Sequence, residues 1–192
     1  MKKIKKRYIG FGVVLIALVV SFFFDNTILG FFNLIHNNFL DYIMRWISDI
    51  GSVVVVMIFM TTLFLWEGRK REYIFPMWLS FISTTVVVYL TKIITARPRP
   101  VMDTFPLFAW FAYSFPSAHT AIAFSVLPIL DKELPKFKWF WLGFAVLVGF
   151  SRVYLQVHYL SDVIAGGLIG YLFGYAFLKY EKTRRPFKRI FQ

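Results

Sequence analysis

The 192-residue chain contains no cysteine, and it is poor in acidic residues. The first absence excludes disulfides, cysteine nucleophiles and thiolate metal ligands. Asp and Glu together number 10 against 22 Lys and Arg, and the sequence contains no obvious carboxylate cluster that could hold a metal ion. The charged residues are therefore mostly basic, and only 3 histidines accompany them.

Apolar residues, in contrast, are abundant: 58% of the chain is hydrophobic, against about 45–50% in a typical soluble domain. They are arranged in blocks long enough to cross a bilayer, which takes about 20 residues per helix. We therefore expect an all-α integral membrane protein of the cell membrane, with residues 1–192 forming a single membrane-embedded domain.

Six apolar runs are candidate membrane spans. The first follows the basic stretch MKKIKKR, and we interpret it as an uncleaved span because no small-residue cleavage site comes after it. The approximate limits of the six runs are Tyr8–Phe24, Val53–Trp66, Tyr73–Thr91, Phe115–Leu130, Trp139–Val157 and Val163–Leu178.

The distribution of positive charge predicts the orientation of these spans. Lys and Arg bracket the apolar runs instead of forming one face, which argues against a nucleic-acid partner. Most of them lie at the N-terminus, after spans two and four, and in the C-terminal tail, so this face is cytoplasmic by the positive-inside rule. A six-helix bundle then has both termini in the cytoplasm, and the basic residues on its outer side are Arg45, Lys92, Arg97, Arg99 and Arg152.

Two outer segments and the last span have their own patterns. In Asn26–Ile50, apolar residues recur at helical spacing among polar ones, which predicts one or two extracytoplasmic helices lying in the interface. The aromatic segment FPLFAWFAYSF is expected at the headgroup level. Small-xxx-small pairs along the sixth span favour close packing inside the bundle, with a dimer interface as the alternative, and the oligomeric state stays open: Gly166, Gly170 and Gly174.

Charged and titratable residues gather at the outer ends of three spans. Ionisable side chains at membrane depth indicate function by default, because burying an unpaired charge costs at least several kcal/mol. Arg and Lys together favour a phosphate, which Arg binds bidentately and Lys as a point charge. A histidine can attack phosphorus or carry a proton near neutral pH. His158 and Asp162 are four residues apart, so on a helix Asp162 could accept the imidazole N–H and fix its tautomer.

These residues resemble the three-part signature of the type 2 phosphatidic acid phosphatase family. Its first part, K-x6-R-P, matches KIITARPRP from Lys92 to Pro100. Its second, P-S-G-H, matches PSAH, which ends at His119, and its third, S-R-x5-H-x3-D, matches SRVYLQVHYLSD, which ends at Asp162. Each motif alone is a weak pattern, but three in order at three span ends make a specific match over essentially the whole chain.

The resemblance implies a role for each matching residue. His158 would be the nucleophile that forms a phosphohistidine, Asp162 its orienting partner, and His119 the general acid for the leaving group. It implies neither a metal nor a cofactor. The residues that it assigns to phosphate binding are Lys92, Arg99, Ser117, Ala118 and Arg152.

Four residues carry secondary expectations. Ala118 stands where the family usually has glycine, which costs roughly 1 kcal/mol if φ there must be positive and nothing if the backbone is helical. Arg97 is out of register with the motif, so we expect it to anchor the span or contact lipid headgroups. We interpret His36 as a surface residue of the interfacial helix, and Asp103 as either a loop cap or a substrate contact.

The resemblance thus implies metal-independent dephosphorylation of a membrane lipid phosphate at the extracytoplasmic face. Undecaprenyl diphosphate and phosphatidylglycerophosphate are the leading substrates, with phosphatidic acid third. Two alternatives stay open: a phosphotransferase on the same scaffold, and a non-catalytic lipid-phosphate binder or transporter.

Overall fold

The computed structural model describes residues 2–101 and 113–188, and within those ranges all regular secondary structure is helical. A π-helical stretch, Val55–Met60, joins α3 to α4, and short 3₁₀ turns precede α5 and α8. The predicted all-α fold is confirmed for these residues. The α-helices are α1 (Lys2–Ile35), α2 (Asn38–Ser48), α3 (Ile50–Val54), α4 (Thr61–Glu67), α5 (Ile74–Thr95), α6 (Ala118–Ser125), α7 (Leu127–Glu133), α8 (Lys138–Tyr154) and α9 (Leu160–Arg184).

The first helix extends well beyond the predicted first span. It continues past Phe24 to Ile35, because the sequence between them contains no proline to stop it. The separate amphipathic helix of the predicted interfacial segment is therefore α2 alone. Asn37 caps this helix, its Oδ1 accepting a hydrogen bond from the Leu40 N–H at 2.9 Å. His36 is partly buried in the link, where its Nδ1 lies 2.9 Å from Asp41 Oδ1.

Three helices of the described chain are long and apolar enough to cross a membrane: Ile9–Ile35, Arg71–Thr95 and Leu160–Arg184. A bent pair, Asn38–Ser48 with Gly51–Glu67, passes the same test when taken together. The predicted fourth span is divided between α6 and α7, which meet at Val126 beside Pro128. The count of six spans therefore stays a prediction.

The outer surface of the bundle is strongly apolar. Large side chains on α1 and α5 point away from the protein core, for example Phe23 at 81% and Ile94 at 82% exposure. A soluble monomer rarely leaves so many large apolar side chains in contact with water. The surface is that of a membrane protein.

The last helix, α9, packs against α1, α5 and α6. Its contact with α6 depends on three glycines, because a Cβ at Gly166, Gly170 or Gly174 would overlap the backbone oxygen of Ser117, Ala121 or Ser125, respectively. The two helices touch backbone to backbone along this line. This confirms that the glycines serve packing within the bundle.

Candidate active site

The three sequence motifs meet at one end of the bundle. Lys92 lies in the last turn of α5, Ser117 precedes α6, and the third motif runs from the end of α8 to the start of α9. Backbone hydrogen bonds connect them: the Ser117 N–H donates to the Asp162 carbonyl at 3.0 Å, and the Ser114 N–H donates to the Arg97 carbonyl at 2.8 Å. Side chains from distant parts of the sequence are thus held at fixed spacing.

His158 is buried at the centre of this cluster, with 1% of its surface exposed. Its Nδ1 lies 3.4 Å from Asp162 Oδ2, a close approach that is longer than an ordinary hydrogen bond. The two side chains lie side by side as predicted, but no hydrogen bond joins them, and the expected common helix is wrong. His158 lies in the turn before α9, and Asp162 occupies the first turn of that helix, where its Oδ2 accepts the Tyr159 N–H at 2.9 Å.

The environment of His158 favours its neutral form. Burial lowers its pKa well below 6.5, and the charges of Lys92, Arg152 and Arg99 lower it further. At neutral pH the imidazole is therefore uncharged and retains a lone pair. The same observation shows that all three basic residues of the matching motifs lie close enough to act on this ring.

Backbone and side-chain oxygens hold two of these cations in place. Lys92 is 2% exposed, and its Nζ donates to the carbonyls of Tyr113 at 2.7 Å and Ser114 at 3.1 Å. Arg152 Nη1 donates to Ser48 Oγ at 3.0 Å. Since Ser48 ends α2, that amphipathic helix is connected directly to the cluster.

His119 opens onto a polar cavity of about 310 Å³. It is the second residue of α6, and Arg152 lies on the same cavity wall. Arg45 on α2 also lines the cavity, a placement that the sequence reasoning missed because nothing in the chain around Arg45 resembles a motif. The cavity wall comprises Arg45, Ser48, Asp49, His119, Arg152, Leu155 and Val157.

Ser117 and Ala118 form the start of α6. Ser117 is fully buried and occupies the N-cap position in an extended conformation, and its Oγ accepts a hydrogen bond from Thr120 Oγ1 at 3.0 Å instead of capping the helix. Ala118 is the first helical residue and has no positive φ. The backbone at position 118 is therefore helical, and alanine in place of the family glycine carries no conformational penalty there.

Arg97 was expected to anchor the span or to contact lipid headgroups, and this is wrong. Its guanidinium turns inward, with Nη1 2.7 Å from Asp162 Oδ1 and Nη2 2.8 Å from Asp25 Oδ2. Two carboxylates that are nearly or fully buried attract it more strongly than the interface does. The role of Asp25 was missed as well, since it lies in α1, far from any motif.

Two expectations fall outside the described residues, namely Asp103 and most of the aromatic segment FPLFAWFAYSF. Among residues 2–101 and 113–188, no group of three or more His, Asp or Glu side chains could hold a metal ion.

Comparison with known proteins identifies the family. The model of the PAP2 superfamily matches residues 73–186, which contain all three motifs. The chain belongs to the PAP2 superfamily. It is 34% identical over 156 residues to an undecaprenyl-diphosphatase of Sulfolobus acidocaldarius, a match covering 78% of this chain and 74% of that protein. It is 29% identical over 157 residues to the undecaprenyl-diphosphatase BcrC of Bacillus subtilis, covering 79% and 80%.

The fold of this PAP2 protein is also found in a solved structure. The crystal structure of a transmembrane PAP2-type phosphatidylglycerolphosphate phosphatase from Bacillus subtilis superposes with a TM-score of 0.70 at 27% identity. The match covers 95% of this chain and 98% of that one. Family membership confirms the class of enzyme that the motifs indicated, a lipid phosphatase of the membrane.

Proposed function

We propose that this PAP2 protein hydrolyses a lipid diphosphate, undecaprenyl diphosphate in the first place, through a phosphohistidine on His158. The observation that carries the proposal is the surrounding of one buried, neutral histidine by three cations and one carboxylate. A neutral imidazole is a nucleophile, and the cations stabilise the charge on the equatorial phosphoryl oxygens in the transition state. Neither step requires a metal ion.

The reaction proceeds in two steps. A ring nitrogen of His158 attacks the terminal phosphorus, the bond between phosphorus and the bridging oxygen breaks, and His119 donates a proton to that oxygen. Water then attacks the phosphohistidine, the P–N bond breaks, inorganic phosphate leaves, and His119 takes up the proton from water. Lys92, Arg99 and Arg152, together with Ser117 and the Ala118 N–H at the start of α6, bind the phosphoryl group throughout.

Two cavities support a substrate with a lipid tail and a charged leaving group. An apolar groove of about 1150 Å³ runs between α1, α8 and α9, with walls that include Phe32, Phe150 and Tyr171, and it would admit a lipid chain from the side. The polar cavity at His119 carries Arg45, which would neutralise the phosphate that remains on the leaving group of a diphosphate. Phosphatidylglycerophosphate and phosphatidic acid are the second and third candidates.

The site is proposed to face the extracytoplasmic side of the cell membrane. The basic loops and both termini would lie in the cytoplasm, with six spans crossing the bilayer and α2 lying in the outer interface. Supporting this arrangement, α2 is amphipathic and contributes Ser48 and Arg45 to the cluster.

The test is phosphate release by the detergent-solubilised protein in the presence of a chelator. Undecaprenyl diphosphate, phosphatidylglycerophosphate and phosphatidic acid are offered in parallel to the wild type and to His158→Ala. We expect metal-independent release that is fastest from the diphosphate and absent in the variant. If one of the other two lipids releases phosphate fastest, that lipid replaces undecaprenyl diphosphate as the proposed substrate.

Failure of the proposal has two recognisable forms. No phosphate release from any lipid by the wild type contradicts the hydrolase, and phosphate appearing on an added acceptor alcohol instead identifies a phosphotransferase. Full function of His158→Ala identifies a non-catalytic binder.

A further inference from the structure

Arg97 lies between two acidic side chains from opposite ends of the sequence. One guanidinium nitrogen, Nη1, contacts Asp162 Oδ1 and Ser161 Oγ, both at 2.7 Å, while Nη2 contacts Asp25 Oδ2 at 2.8 Å. The planar group also stacks on the Tyr159 ring, with Cζ 3.9 Å from the ring centre. The guanidinium is therefore fixed in position and in orientation.

The two oxygens of Asp162 are divided between two tasks. Oδ1 accepts from Arg97, whereas Oδ2 accepts the Tyr159 N–H at 2.9 Å and lies 3.4 Å from His158 Nδ1. A carboxylate held only through Oδ2 could still rotate about its side-chain bonds. The contact with Arg97 removes that freedom and sets the direction in which Oδ2 faces the imidazole.

Asp25 holds the arginine from the other side. It is 3% exposed on α1, and it accepts the Ser161 N–H at 3.0 Å and the Ser161 hydroxyl as well as Arg97. Two carboxylates share one guanidinium here. A buried charge of this kind is stable only when every partner is in place.

We propose that Arg97, held by Asp25, is a positioning residue that fixes the Asp162 carboxylate and, through it, the imidazole of His158. The inference rests on the proposed role of His158 as nucleophile. Loss of Arg97 releases Oδ1 and leaves two buried carboxylates without their cation. A fixed carboxylate then no longer limits the position of the imidazole on this side, and small errors in the alignment of a reacting group can lower a rate by about 100-fold.

Replacing Arg97 is expected to lower kcat and to leave KM nearly unchanged. Lys92, Arg99 and Arg152 remain to bind the phosphate when Arg97 is replaced. We expect Arg97→Gln to lower kcat by about 100-fold, with KM changed less than about threefold. Arg97→Lys should recover about tenfold of this loss, because lysine keeps the positive charge but lacks the planar guanidinium that donates to two partners at once. Asp25→Asn, which keeps its shape, should lower kcat by about tenfold, because it acts only through Arg97 and Ser161.

A double-mutant cycle distinguishes positioning from a merely structural role. Arg97→Gln is introduced into the wild type and into Asp162→Asn, and kcat is measured with the best of the three lipids. If Arg97 acts through Asp162, Arg97→Gln should lower the residual kcat of the Asp162→Asn variant by less than about threefold. Glu133→Gln is the matched control, since it removes a nearly buried carboxylate that pairs with Lys70 in a different ion pair.

The proposal is overturned if Arg97→Gln lowers kcat equally in the wild type and in Asp162→Asn. It is also overturned if the loss of kcat in Arg97→Gln is no larger than Glu133→Gln shows for the same fall in thermal midpoint. If Arg97→Gln does not fold, Arg97→Lys and Asp25→Asn are compared in the same two backgrounds with the same criterion. The proposed function is judged separately, by wild-type release and by its loss in His158→Ala.

Discussion

The two histidines of the site share the same neighbouring cations but differ in access, and this difference supports the separate roles proposed for them. Lys92, Arg99 and Arg152 act on both rings, but His158 is buried beside Asp162, whereas His119 opens onto the polar cavity that also contains Arg45. A phosphoryl group held among the cations would present its leaving oxygen to that cavity. This placement supports the proposed role of His119 as the acid that protonates the leaving oxygen.

Replacing His119 should lower the rate of hydrolysis most for the substrates with the poorest leaving groups. A leaving phosphate monoester has a second pKa of about 6, whereas a leaving alkoxide resembles hydroxide, whose parent water has a pKa of about 16. We expect His119→Gln to lower kcat/KM for phosphatidic acid at least about tenfold more than for undecaprenyl diphosphate. Steady-state rates on both lipids check this, and equal losses would mean that His119 does not act as the acid.

A second residue-scale effect concerns Ala96, which ends α5 in a left-handed conformation with φ of 45°. Glycine adopts this conformation without the penalty that a Cβ brings. We expect Ala96→Gly to stabilise the protein by up to about 1 kcal/mol, seen as a higher thermal midpoint in detergent. Ala17→Gly in the middle of α1 is the opposite case and should lower the midpoint.

At the scale of helices, the contact between α6 and α9 sets the dimensions of the site. The two helices touch where Gly166 and Gly170 meet the backbone of Ser117 and Ala121. Ser117 and Asp162 are joined by a backbone hydrogen bond at the end of the same contact. The spacing of the second and third motifs therefore depends on the absence of side chains along α9.

A single methyl group at Gly170 should disturb both stability and rate. Its Cβ would overlap the backbone oxygen of Ala121, which cannot move without shifting α6. We expect Gly170→Ala to destabilise the protein by about 1–3 kcal/mol and to lower kcat, measured by thermal midpoint and phosphate release. Gly143→Ala on α8 meets nothing within 4 Å and should do neither. Identical behaviour of the two variants would contradict the packing argument.

The motifs made part of this site predictable from the sequence. Fixed spacing placed His158 near Asp162, and residue type alone indicated a phosphate site around Lys92 and Arg152. Arg97 could not be placed in this way, because its partner Asp25 is 72 positions away and belongs to no pattern. The length of α1 was missed because the interpretation relied on apolar content, whereas a helix continues until a residue stops it.

For the molecule as a whole, the proposed orientation in the bilayer rests on the distribution of its charges. In the proposed six-span topology, most Lys and Arg fall on the face opposite the site, among them Lys70, Lys136 and Lys138. The site itself neutralises its cations with Asp25 and Asp162 or reserves them for phosphate. The positive charge available to anionic lipid is therefore concentrated on one side.

The lack of native cysteine allows this orientation to be measured directly. Asn38→Cys at the start of α2 and Lys136→Cys between α7 and α8 each introduce a single exposed thiol. We expect a membrane-impermeant maleimide to label the first in intact cells and the second only after lysis. The reverse pattern would place the site in the cytoplasm.

The carboxylate of Asp25 also has a consequence for how the chain is made. It is synthesised 72 positions before Arg97 and 136 positions before Ser161. While the ribosome adds the residues between them, the charged side chain of Asp25, ten residues before the end of the first helix, has no partner within the bilayer, where its burial alone is costly. That helix is expected to stay shallow, or beside the insertion machinery, until its partners arrive. The contact that orders the finished site would then also decide when the first helix can settle into the membrane.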